Sequence, residues 1–403
     1  MVDGDFNKFR LIHISDLHFF DSEHKVLPDI FFELLSEIST LGVLVSGDLT
    51  TAKPNQTQEE QYAAYEKCVR FLKCIISPFG KKMYIVVGNH DVNRNSDGDF
   101  EKKFELIEKI ISKHGFEIAI KECRTSYIGN DNCLQIIEIN SCKNLDLNDK
   151  DKGDPSYFRE EDIERISSQI NKDSISLPLI LAHHNIVPKC SKKTKKPEFF
   201  DAGHFRETML KKHRTILYVH GHLHKVKDPL IIKRKKNAKL ICISAPRLFY
   251  NETSGENLTE SVSAFNVIEF FTVKNIPIGC KVKNLAYHPN TANIEKTDLF
   301  TKKVDEDTDL FLLSGARESI SKYELIDDFD HEILENLTFE EKYACDVCTV
   351  DLLKEDEIAK LRTHLLKLYW LGYIDMSKQD YSVINDDLFD AKKMISIYLK
   401  GGD

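Results

Sequence analysis

Five short apolar runs in this 403-residue chain each end in aspartate, asparagine or histidine. The runs cover residues 11–14, 43–46, 83–87, 179–182 and 216–219. Each run is rich in aliphatic and β-branched residues, which is typical of a strand buried on both faces. Because chemistry in open α/β sheets gathers beyond the carboxyl ends of the strands, we expect the polar clusters to meet there. The pattern predicts a fold that aims a metal site from several strand ends.

The length of the chain exceeds the usual range of a single domain, so two domains are expected. No run approaches the roughly 18 apolar residues of a membrane span, and the first residues lack the regions of a signal peptide. The ten cysteines have no regular spacing, which fits a reducing compartment, and we expect a cytoplasmic protein. The net charge of -9 argues against a general nucleic-acid coat.

Helical periodicity fills the gaps between the first runs, over residues 27–38, 59–76 and 100–114. Alternation of strand and helix indicates βαβ units and a layered α/β domain. Further strand-like segments follow at 134–139, 240–244, 264–271 and 280–287. Fewer helices separate these segments, so we expect them to form a second sheet packed on the first. The predicted catalytic domain covers residues 1–290.

A polar stretch over residues 301–309 indicates a linker or boundary, which we place at 291–330. Helical segments at 337–350 and 356–371 then predict a small, mainly α domain over residues 331–403. A glycine and a short hairpin after the second helix resemble a winged helix, although an ordinary helical bundle gives the same pattern. This domain has 15 acidic and 9 basic residues, a difference of -6, which disfavours DNA binding. We expect it to bind a protein partner or to form a homodimer.

The polar clusters supply seven candidate metal ligands with oxygen and nitrogen donors. They are Asp16, His18, Asp48, Asn89, His183, His222 and His224. Mixed oxygen and nitrogen ligation suits manganese, iron, zinc, cobalt or nickel better than calcium, and we favour two manganese ions. Two aspartates against two dications leave a formal charge of +2, and such a centre attracts phosphate. The sequence therefore predicts metal-assisted hydrolysis of a phosphate ester.

The order of these blocks is similar to that of a known family. Five sequence blocks together resemble those of the calcineurin-like metallophosphoesterases. They are DxH at Asp16 and His18, GD at Gly47 and Asp48, GNHD from Gly88, the isolated His183 and GHxH from Gly221. The resemblance covers roughly the first 290 residues. It implies an α/β fold in which a two-sheet β-sandwich is flanked by helices, and a hydrolase that acts on phosphoric ester bonds.

The resemblance also implies a role for each ligand. It assigns the first metal to Asp16, His18, Asp48 and His224. It assigns the second metal to Asp48, Asn89, His183 and His222, so that Asp48 bridges the two ions. His90 would be catalytic, either as the donor of a proton to the leaving oxygen or as a group that holds the phosphoryl group.

One position departs from the family pattern. Many members carry GDxxD in the second block, where the later aspartate orients the catalytic histidine, but this chain has Thr51 there. Threonine has no charge to hold an imidazolium. Either another group orients His90, or the pKa of His90 is lower and leaving groups of low basicity are preferred.

The blocks around Asp16 and Asp48 look most like the cyclic-nucleotide phosphodiesterase and nuclease branches of the family. We therefore expect phosphodiester hydrolysis, with a nucleotide or nucleic acid as substrate. The protein phosphatase branch is less favoured because its arginine-containing second block is missing. The alternatives are a phosphomonoesterase and a non-catalytic scaffold on the same fold.

Basic residues near the predicted site are candidates for substrate contacts. Arg94 follows the third block by three residues. A cluster of lysines without an intervening acid follows His183 and His184 and comprises Lys189, Lys192, Lys193, Lys195 and Lys196. We expect this cluster to lie in a loop at the site's edge and to attract a polyanion. Residues 233–236 form a second basic patch, and nucleotide or nucleic-acid substrates are favoured over phosphoproteins if both patches border the same mouth.

Overall fold

The computed structural model describes most of the two sheets and their flanking helices. The described residues are 6–19, 40–51, 56–76, 82–93, 100–121, 123–145, 156–170, 176–187, 189–190, 195–196, 201–212, 215–224, 229–235, 238–249, 263–288, 293–302, 325–337, 342–343, 355–377, 380, 394–395 and 397–399. The predicted helix at 27–38 lies outside them.

The first 302 residues supply the strands and helices of the two-sheet region. The strands are β1 (Phe6–Ile14), β2 (Gly42–Ser46), β3 (Lys82–Val86), β4 (Arg124–Ile128), β5 (Leu134–Glu138), β6 (Leu177–Leu181), β7 (Lys189–Cys190), β8 (Lys195–Lys196), β9 (Thr215–His220), β10 (Leu230–Lys235), β11 (Ala238–Ser244), β12 (Ser263–Val273), β13 (Ile276–His288) and β14 (Asn293–Lys302). The helices are α1 (Gln58–Ile76), α2 (Phe100–Lys113), α3 (Glu160–Gln169) and α4 (Ala202–Leu210).

Two six-stranded mixed sheets form the centre of the fold. The first has the order β14-β13-β12-β1-β2-β3, and the second has the order β10-β11-β9-β6-β5-β4. Within the first sheet β1, β2 and β3 are parallel, and within the second sheet β5, β6, β9 and β11 are parallel. The predicted α/β fold of two packed sheets is confirmed.

Alternation along the strands builds three apolar layers. Leu11 and Leu44 point between the sheets, where they pack with Leu179 of the second sheet. Ile12 and Val43 point the other way and pack against α1 and α2. A third cluster joins the outer face of the second sheet to α3 and α4. Because both faces of each sheet are covered, the central strands are continuous apolar runs rather than alternating ones.

The two strand segments predicted at 264–271 and 280–287 exist, but they were assigned to the wrong sheet. They lie in β12 and β13, and β12 pairs with β1 antiparallel over its length, from Phe6 with Val273 to His13 with Asn266. Apolar strands look alike in either sheet, and the choice depends on long-range pairing that periodicity does not encode. β14 also joins the first sheet, within the stretch predicted as a linker.

The C-terminal region packs on the far end of the first sheet. Its helices are α5 (Asp328–Asn336) and α6 (Glu355–Trp370), and its short strands are β15 (Lys342–Tyr343), β16 (Ile374–Met376), β17 (Met394–Ile395) and β18 (Ile397–Leu399). Trp370 is fully buried and its ring stacks on Phe271, with centroids 3.7 Å apart. Phe271 pairs with Lys8 near the start of β1, whereas the polar clusters follow the ends of the strands. The contact therefore lies at the end of the sheet opposite those clusters.

Two details of this region differ from expectation. The described residues of the segment predicted as a helix at 337–350 are not helical, because Leu337 is the extended residue after α5 and Lys342–Tyr343 form β15. The helix α5 lies before this segment, and it begins where Asp327 caps the first turn and forms a capping box with Asp330. β16 pairs with β18, while the predicted hairpin strand at 381–384 lies outside the described residues. The domain boundaries at 290 and 330 remain predictions. None of the described helices is long and apolar enough to cross a membrane.

Candidate metal centre

The turns that follow β1 and β2 run side by side beyond the first sheet. The backbone N–H of Asp16 donates to the carbonyl of Gly47 (3.0 Å), and that of His18 donates to the carbonyl of Asp48 (2.9 Å). These bonds continue the parallel pairing of the strands past their ends. They fix the spacing of Asp16, His18 and Asp48 before any side chain contributes.

Left-handed backbone conformations mark the candidate ligands. The values of φ are 55° for Asp16, 47° for His18, 54° for Asp48, 67° for His222 and 57° for His224. Each such residue costs on the order of 1–3 kcal/mol, and strain of this kind persists where the surrounding structure imposes it. Its concentration at these strand ends indicates a functional region.

A first group of ligand atoms comes from the turns after β1, β2 and β9. One atom each from Asp16, His18, Asp48 and His224 lies within 4.8 Å of all the others. Nε2 of His224 is 3.0 Å from Oδ1 of Asp16 and 3.3 Å from Nε2 of His18. Nε2 of His18 is also 3.6 Å from Oδ2 of Asp48. The four predicted ligands of the first metal therefore converge.

A second group adjoins the first and shares Asp48 with it. Nε2 of His183 is 2.9 Å from Oδ1 of Asn89 and 3.5 Å from Oδ2 of Asp48. Nδ1 of His222 is 3.2 Å from the same oxygen of Asn89. Oδ2 of Asp48 thus lies between an imidazole of each group. The second predicted set is brought together as well.

Two buried oxygens indicate that the centre is built for a cation. Among the described residues, buried Oδ2 of Asp48 has no hydrogen-bond partner, and buried Oδ1 of Asp16 has only Nε2 of His224, 3.0 Å away and itself a candidate ligand. A buried carboxylate oxygen without such a partner is costly, and a metal ion would compensate both. Ligands about 2.1 Å from an octahedral ion lie about 3 Å apart, close to the spacings in both groups. The group formed by Asp16, His18, Asp48 and His224 therefore fits a metal site.

Protonation also favours ligation. Burial opposes ionisation of Asp16, but His224, His183 and His18 together outweigh it and hold the pKa of this carboxyl well below its usual range. Burial lowers the pKa of His18 well below its usual value, and the positive charge of His90 lowers it further. Carboxylate and neutral imidazole are the forms that bind metals, so both ligands have the protonation state that a cation requires.

Two neighbours orient the ligand imidazoles through their outer nitrogens. Nδ1 of His18 is 2.9 Å from Oγ1 of Thr51, and Nδ1 of His183 is 2.8 Å from the carbonyl of Ser46. Since the carbonyl only accepts, His183 donates from Nδ1 and keeps the lone pair of Nε2 for the centre. Thr51 stands where the family pattern has an aspartate that orients the catalytic histidine. Here its hydroxyl contacts His18, which had been expected to be a ligand, and makes no described bond to His90.

His90 lies beside the first group. Its backbone N–H donates to Oδ1 of Asp48 (2.9 Å), and its ring lies edge-on to that of His18, with centroids 4.9 Å apart. Nδ1 of His90 is buried and has no hydrogen-bond partner among the described residues. The bond from its backbone N–H to Asp48, rather than a bond from its ring to a carboxylate, thus holds this residue at the centre.

Asp91 connects the second and third blocks, and we had assigned it no role from the sequence. Its carboxylate accepts the backbone N–H groups of Leu49 (3.1 Å), Thr50 (2.9 Å) and Gly88 (2.9 Å). Burial, followed by the charge of Asp48, raises the pKa of Asp91 to about 7. The signal was present as the last letter of GNHD, but spacing alone does not reveal which backbone groups an aspartate will bind.

Glycine is required where the two turns cross. Gly47 has a φ of 86°, and a Cβ there would lie 2.8 Å from Nδ1 of His183. A Cβ on Gly88 would collide with the carboxylate and backbone nitrogen of Asp48. The glycines therefore allow the third block to approach Asp48 closely.

The remaining histidines occupy supporting positions. Nδ1 of His184 is 3.0 Å from Oγ of Ser141, whereas Nε2 of His183 contacts Asn89 and Asp48. His13 is fully buried, with Nε2 2.9 Å from Oγ of Ser46. His183 rather than His184 thus reaches the centre.

The predicted substrate contacts Arg94, Lys192 and Lys193 lie outside the described residues. The lysine cluster expected as a loop contains a short hairpin, in which Lys189 pairs with Lys196 across β7 and β8. The other basic patch lies away from the centre. β10 is antiparallel to β11, so that Lys235 lies beside Ala238 at the start of β11, away from the centre.

A second group of acids and a histidine lies between α5 and α6 and comprises Asp327, Asp330 and His364. Nζ of Lys367 is 3.1 Å from Asp327 and 2.7 Å from Asp330. The ammonium group supplies the positive charge that a metal would bring. We interpret this group as a buried ionic link between the two helices.

A family model and several solved structures match this chain. Solved structures similar in fold include Vps29 from Entamoeba histolytica, as a single mutant and as the wild type complexed with zinc; both are 12% identical, with a TM-score of 0.33, and the alignment covers 72% of this chain and 100% of theirs. GAP50, the anchor in the inner membrane complex of Plasmodium, is 12% identical, with a TM-score of 0.39. The alignment covers 77% of this chain and 96% of GAP50. No curated protein matches the chain. The calcineurin-like phosphoesterase family model matches residues 9–226, which is more than half of the chain, and the protein belongs to that family.

Proposed function

We propose that the protein is a phosphodiesterase with two divalent metal ions, acting on nucleotides or nucleic acid. The observation that carries this proposal is the position of Asp48. Its Oδ2 lies 3.6 Å from Nε2 of His18 and 3.5 Å from Nε2 of His183, between the two ligand groups. A carboxylate oxygen shared in this way suits two ions about 3.5–4 Å apart.

Each group has its own ligands in the proposal. Asp16, His18 and His224 would hold the first ion, Asn89, His183 and His222 would hold the second, and Asp48 would be shared. Two bound cations supply Lewis acidity at the phosphoryl group and an activated water. Asn89 contributes a neutral oxygen, so the ligands leave a net positive charge at the centre for an anionic substrate. Manganese is the metal that we favour for the first assays.

His90 donates a proton to the leaving oxygen. Its backbone is fixed to Asp48, and its ring borders His18 at the edge of the first group. Nδ1 is buried and has no hydrogen-bond partner among the described residues, so no described carboxylate orients the ring through this nitrogen. We expect the enzyme to prefer esters whose leaving groups have low basicity.

The lysine hairpin supports a polyanionic substrate. It begins five residues after His184, where the chain leaves the centre, and directly pairs two lysines across its strands. Like charges at paired positions are destabilising, and an anionic ligand relieves them. The C-terminal region packs at the other end of the first sheet. Lys8, which pairs with Phe271 there, precedes Asp16 by eight residues, or about 26 Å of extended strand. We propose that the outer surface of this region binds a protein partner.

A hydrolysis panel with manganese tests the proposal. The substrates are bis-p-nitrophenyl phosphate, p-nitrophenyl phosphate, cyclic nucleotides, and single- and double-stranded DNA. We expect the wild type to hydrolyse diesters and Asp48→Ala to lose both activity and bound metal. Asp330→Asn, which removes a buried carboxylate far from the centre, is the control. A folded, metal-loaded wild type that is inert toward every substrate would refute the proposal and favour a scaffold.

A second variant tests the role of His90. His90→Ala removes the proposed proton donor but keeps the backbone bond to Asp48. Turnover should fall about 10²–10⁴-fold, while metal content stays that of the wild type. Equal losses of metal and turnover would assign His90 to metal binding instead.

A further inference from the structure

A cavity of about 280 Å³ lies between the N-terminal turns of α1 and α2. Its walls belong to the two chain segments that follow the second and third sequence blocks. The polar residues that line it are Gln56, Gln58, Gln61, Asn93, Lys102 and Glu105. The volume is close to the lower end of the range for small-molecule sites and much larger than one water needs. The cavity therefore has room for a small organic group.

The cavity adjoins the turn that forms the third block. The hydroxyl of Tyr65 on α1 donates to the carbonyl of Asp91 at the end of this turn (2.8 Å). Gln61 precedes Tyr65 by four residues, so the two side chains lie on one face of the helix, with Cβ atoms about 5–6 Å apart. Asn93, on the other wall, follows Asp91 by two residues. The cavity thus lies next to the turn that brings Asn89 to the metal centre.

Hydrogen bonds hold both walls of the cavity in place. The backbone N–H of Thr57 donates to Oε2 of Glu60 (2.8 Å), and that of Glu60 donates to Oγ1 of Thr57 (3.2 Å), which forms a capping box at the start of α1. The backbone N–H of Asn93 donates to the carbonyl of Lys103 (3.1 Å) and ties the other wall to α2. Because the walls are fixed beforehand, a ligand loses little binding free energy to ordering them.

Gln61 supplies an amide that lacks a protein partner. The residue is only 6% exposed, and its side chain makes no hydrogen bond with the described residues. Its amide atoms are not sealed in the core, because they border the cavity. Burying an amide without a hydrogen-bond partner is unfavourable. The group that satisfies this amide must therefore occupy the cavity.

The charges around the cavity favour a neutral ligand. Lys102 and Glu105 are exposed and have opposite charges, so together they leave no net charge there. Gln56 and Gln61 are buried and neutral. A phosphate is bound by an excess of cationic donors, which these residues do not supply. The lining instead suits a polar group that has both hydrogen-bond donors and acceptors.

A glutamine amide distinguishes between the purine bases. It presents an N–H donor beside a carbonyl acceptor, and this pair matches N7 and the N6 amino group of adenine. Guanine presents two acceptors at the same edge and pairs with cationic donors instead. We infer that the cavity binds the adenine base of a nucleotide whose phosphate lies at the metal centre. This inference rests on the proposed function and identifies a site of base specificity for it.

Calorimetric titration of the full chain with adenosine, guanosine and ribose tests this inference. Adenosine carries no phosphate, so its binding requires neither hydrolysis nor the metal centre. We expect the wild type to bind adenosine roughly 10- to 100-fold more tightly than guanosine, and to bind ribose more weakly than either.

Variants of Gln61 then assign the binding to the cavity. Gln61→Met keeps an unbranched side chain but removes the amide, and it should weaken adenosine binding roughly 10- to 100-fold. Gln61→Glu replaces the N–H donor with an acceptor and should reduce the preference for adenosine over guanosine. Gln169→Met makes the first change on α3, against the second sheet, and should bind adenosine like the wild type. Circular dichroism confirms that each variant is folded.

Kinetics separate this inference from the proposed function. For the p-nitrophenyl ester of adenosine 5′-monophosphate, Gln61→Met should raise KM more than for bis-p-nitrophenyl phosphate, which has no base. If the wild type binds adenosine through Gln61 but hydrolyses no substrate, the proposed function fails and the inference stands. The inference is overturned if the wild type does not bind adenosine, if it binds guanosine or ribose equally well, or if folded Gln61→Met keeps wild-type affinity for adenosine.

Discussion

The contact between Thr51 and His18 leads to a prediction that separates two interpretations of position 51. The family pattern suggests that this position acts on the catalytic histidine, whereas the structure places the Thr51 hydroxyl 2.9 Å from Nδ1 of His18. Thr51→Val keeps the shape of the side chain but removes the hydroxyl. Nδ1 of His18, which is only 4% exposed as a residue, would then lose this partner.

The expected effect follows from this burial. Leaving a buried donor without an acceptor costs about 1–3 kcal/mol. Loss of a hydrogen bond that orients a ligand typically lowers metal affinity about 10- to 100-fold, which corresponds to about 1.4–2.7 kcal/mol. The cost of the unpaired donor and the free energy that corresponds to the lost metal affinity are therefore of similar size. We therefore expect the affinity for manganese at the first group to fall in this range, with little change in kcat once metal is saturating.

Manganese titration, followed by calorimetry and by activity, measures both quantities. Thr51→Ser keeps the hydroxyl and should bind manganese with nearly wild-type affinity. Unchanged manganese affinity in Thr51→Val, with kcat at saturating metal falling tenfold or more, would refute the reasoning. That outcome would mean that position 51 acts through His90, as the family pattern suggests.

Three further predictions concern packing, close approach and pH. Trp370→Ala should lower the free energy of unfolding by about 3–5 kcal/mol in urea titrations, because the buried ring that stacks on Phe271 is lost; kcat of the remaining folded protein should be unchanged. Gly88→Ala should leave the far-ultraviolet circular dichroism spectrum intact but displace the carboxylate of Asp48, so that elemental analysis finds less bound metal. Burial raises the pKa of Glu138 from 4.5 to about 7. The stability that protonated Glu138 gives the folded protein is therefore fully present below pH 4.5 and is lost as the pH rises through about 7. Over this range the free energy of unfolding should fall by about 3 kcal/mol relative to that of Glu138→Gln. Equal pH profiles of unfolding for the two proteins would contradict this assignment.

Much of the centre was predictable because its residues are local to strand ends. A β-branched run followed by an aspartate or histidine specifies both a buried strand and the position of a polar group just beyond it. The order of the five clusters therefore sufficed to group Asp16, Asp48, Asn89, His183 and His222. The structure places these side chains within one centre, while their roles as ligands remain proposals.

Contacts between distant segments were not predictable in the same way. The partner of Thr51 and the three backbone N–H groups bound by Asp91 both depend on how the turns pack. The assignment of β12 and β13 to the first sheet depends on pairing with β1, more than 240 residues away in the chain. Hydrophobic period is a local property, and it does not distinguish one buried sheet from another.

The sequence by itself thus determined which residues lie at the strand ends and what chemistry their atoms support. Only the tertiary structure decided which imidazole each neighbour orients, that Lys233 and Lys235 lie away from the centre, and that the C-terminal helices pack at the other end of the first sheet. The physical reason is that donor type and strand burial are encoded residue by residue. Register, sheet order and the meeting of turns arise only when the whole chain minimises its exposed apolar surface.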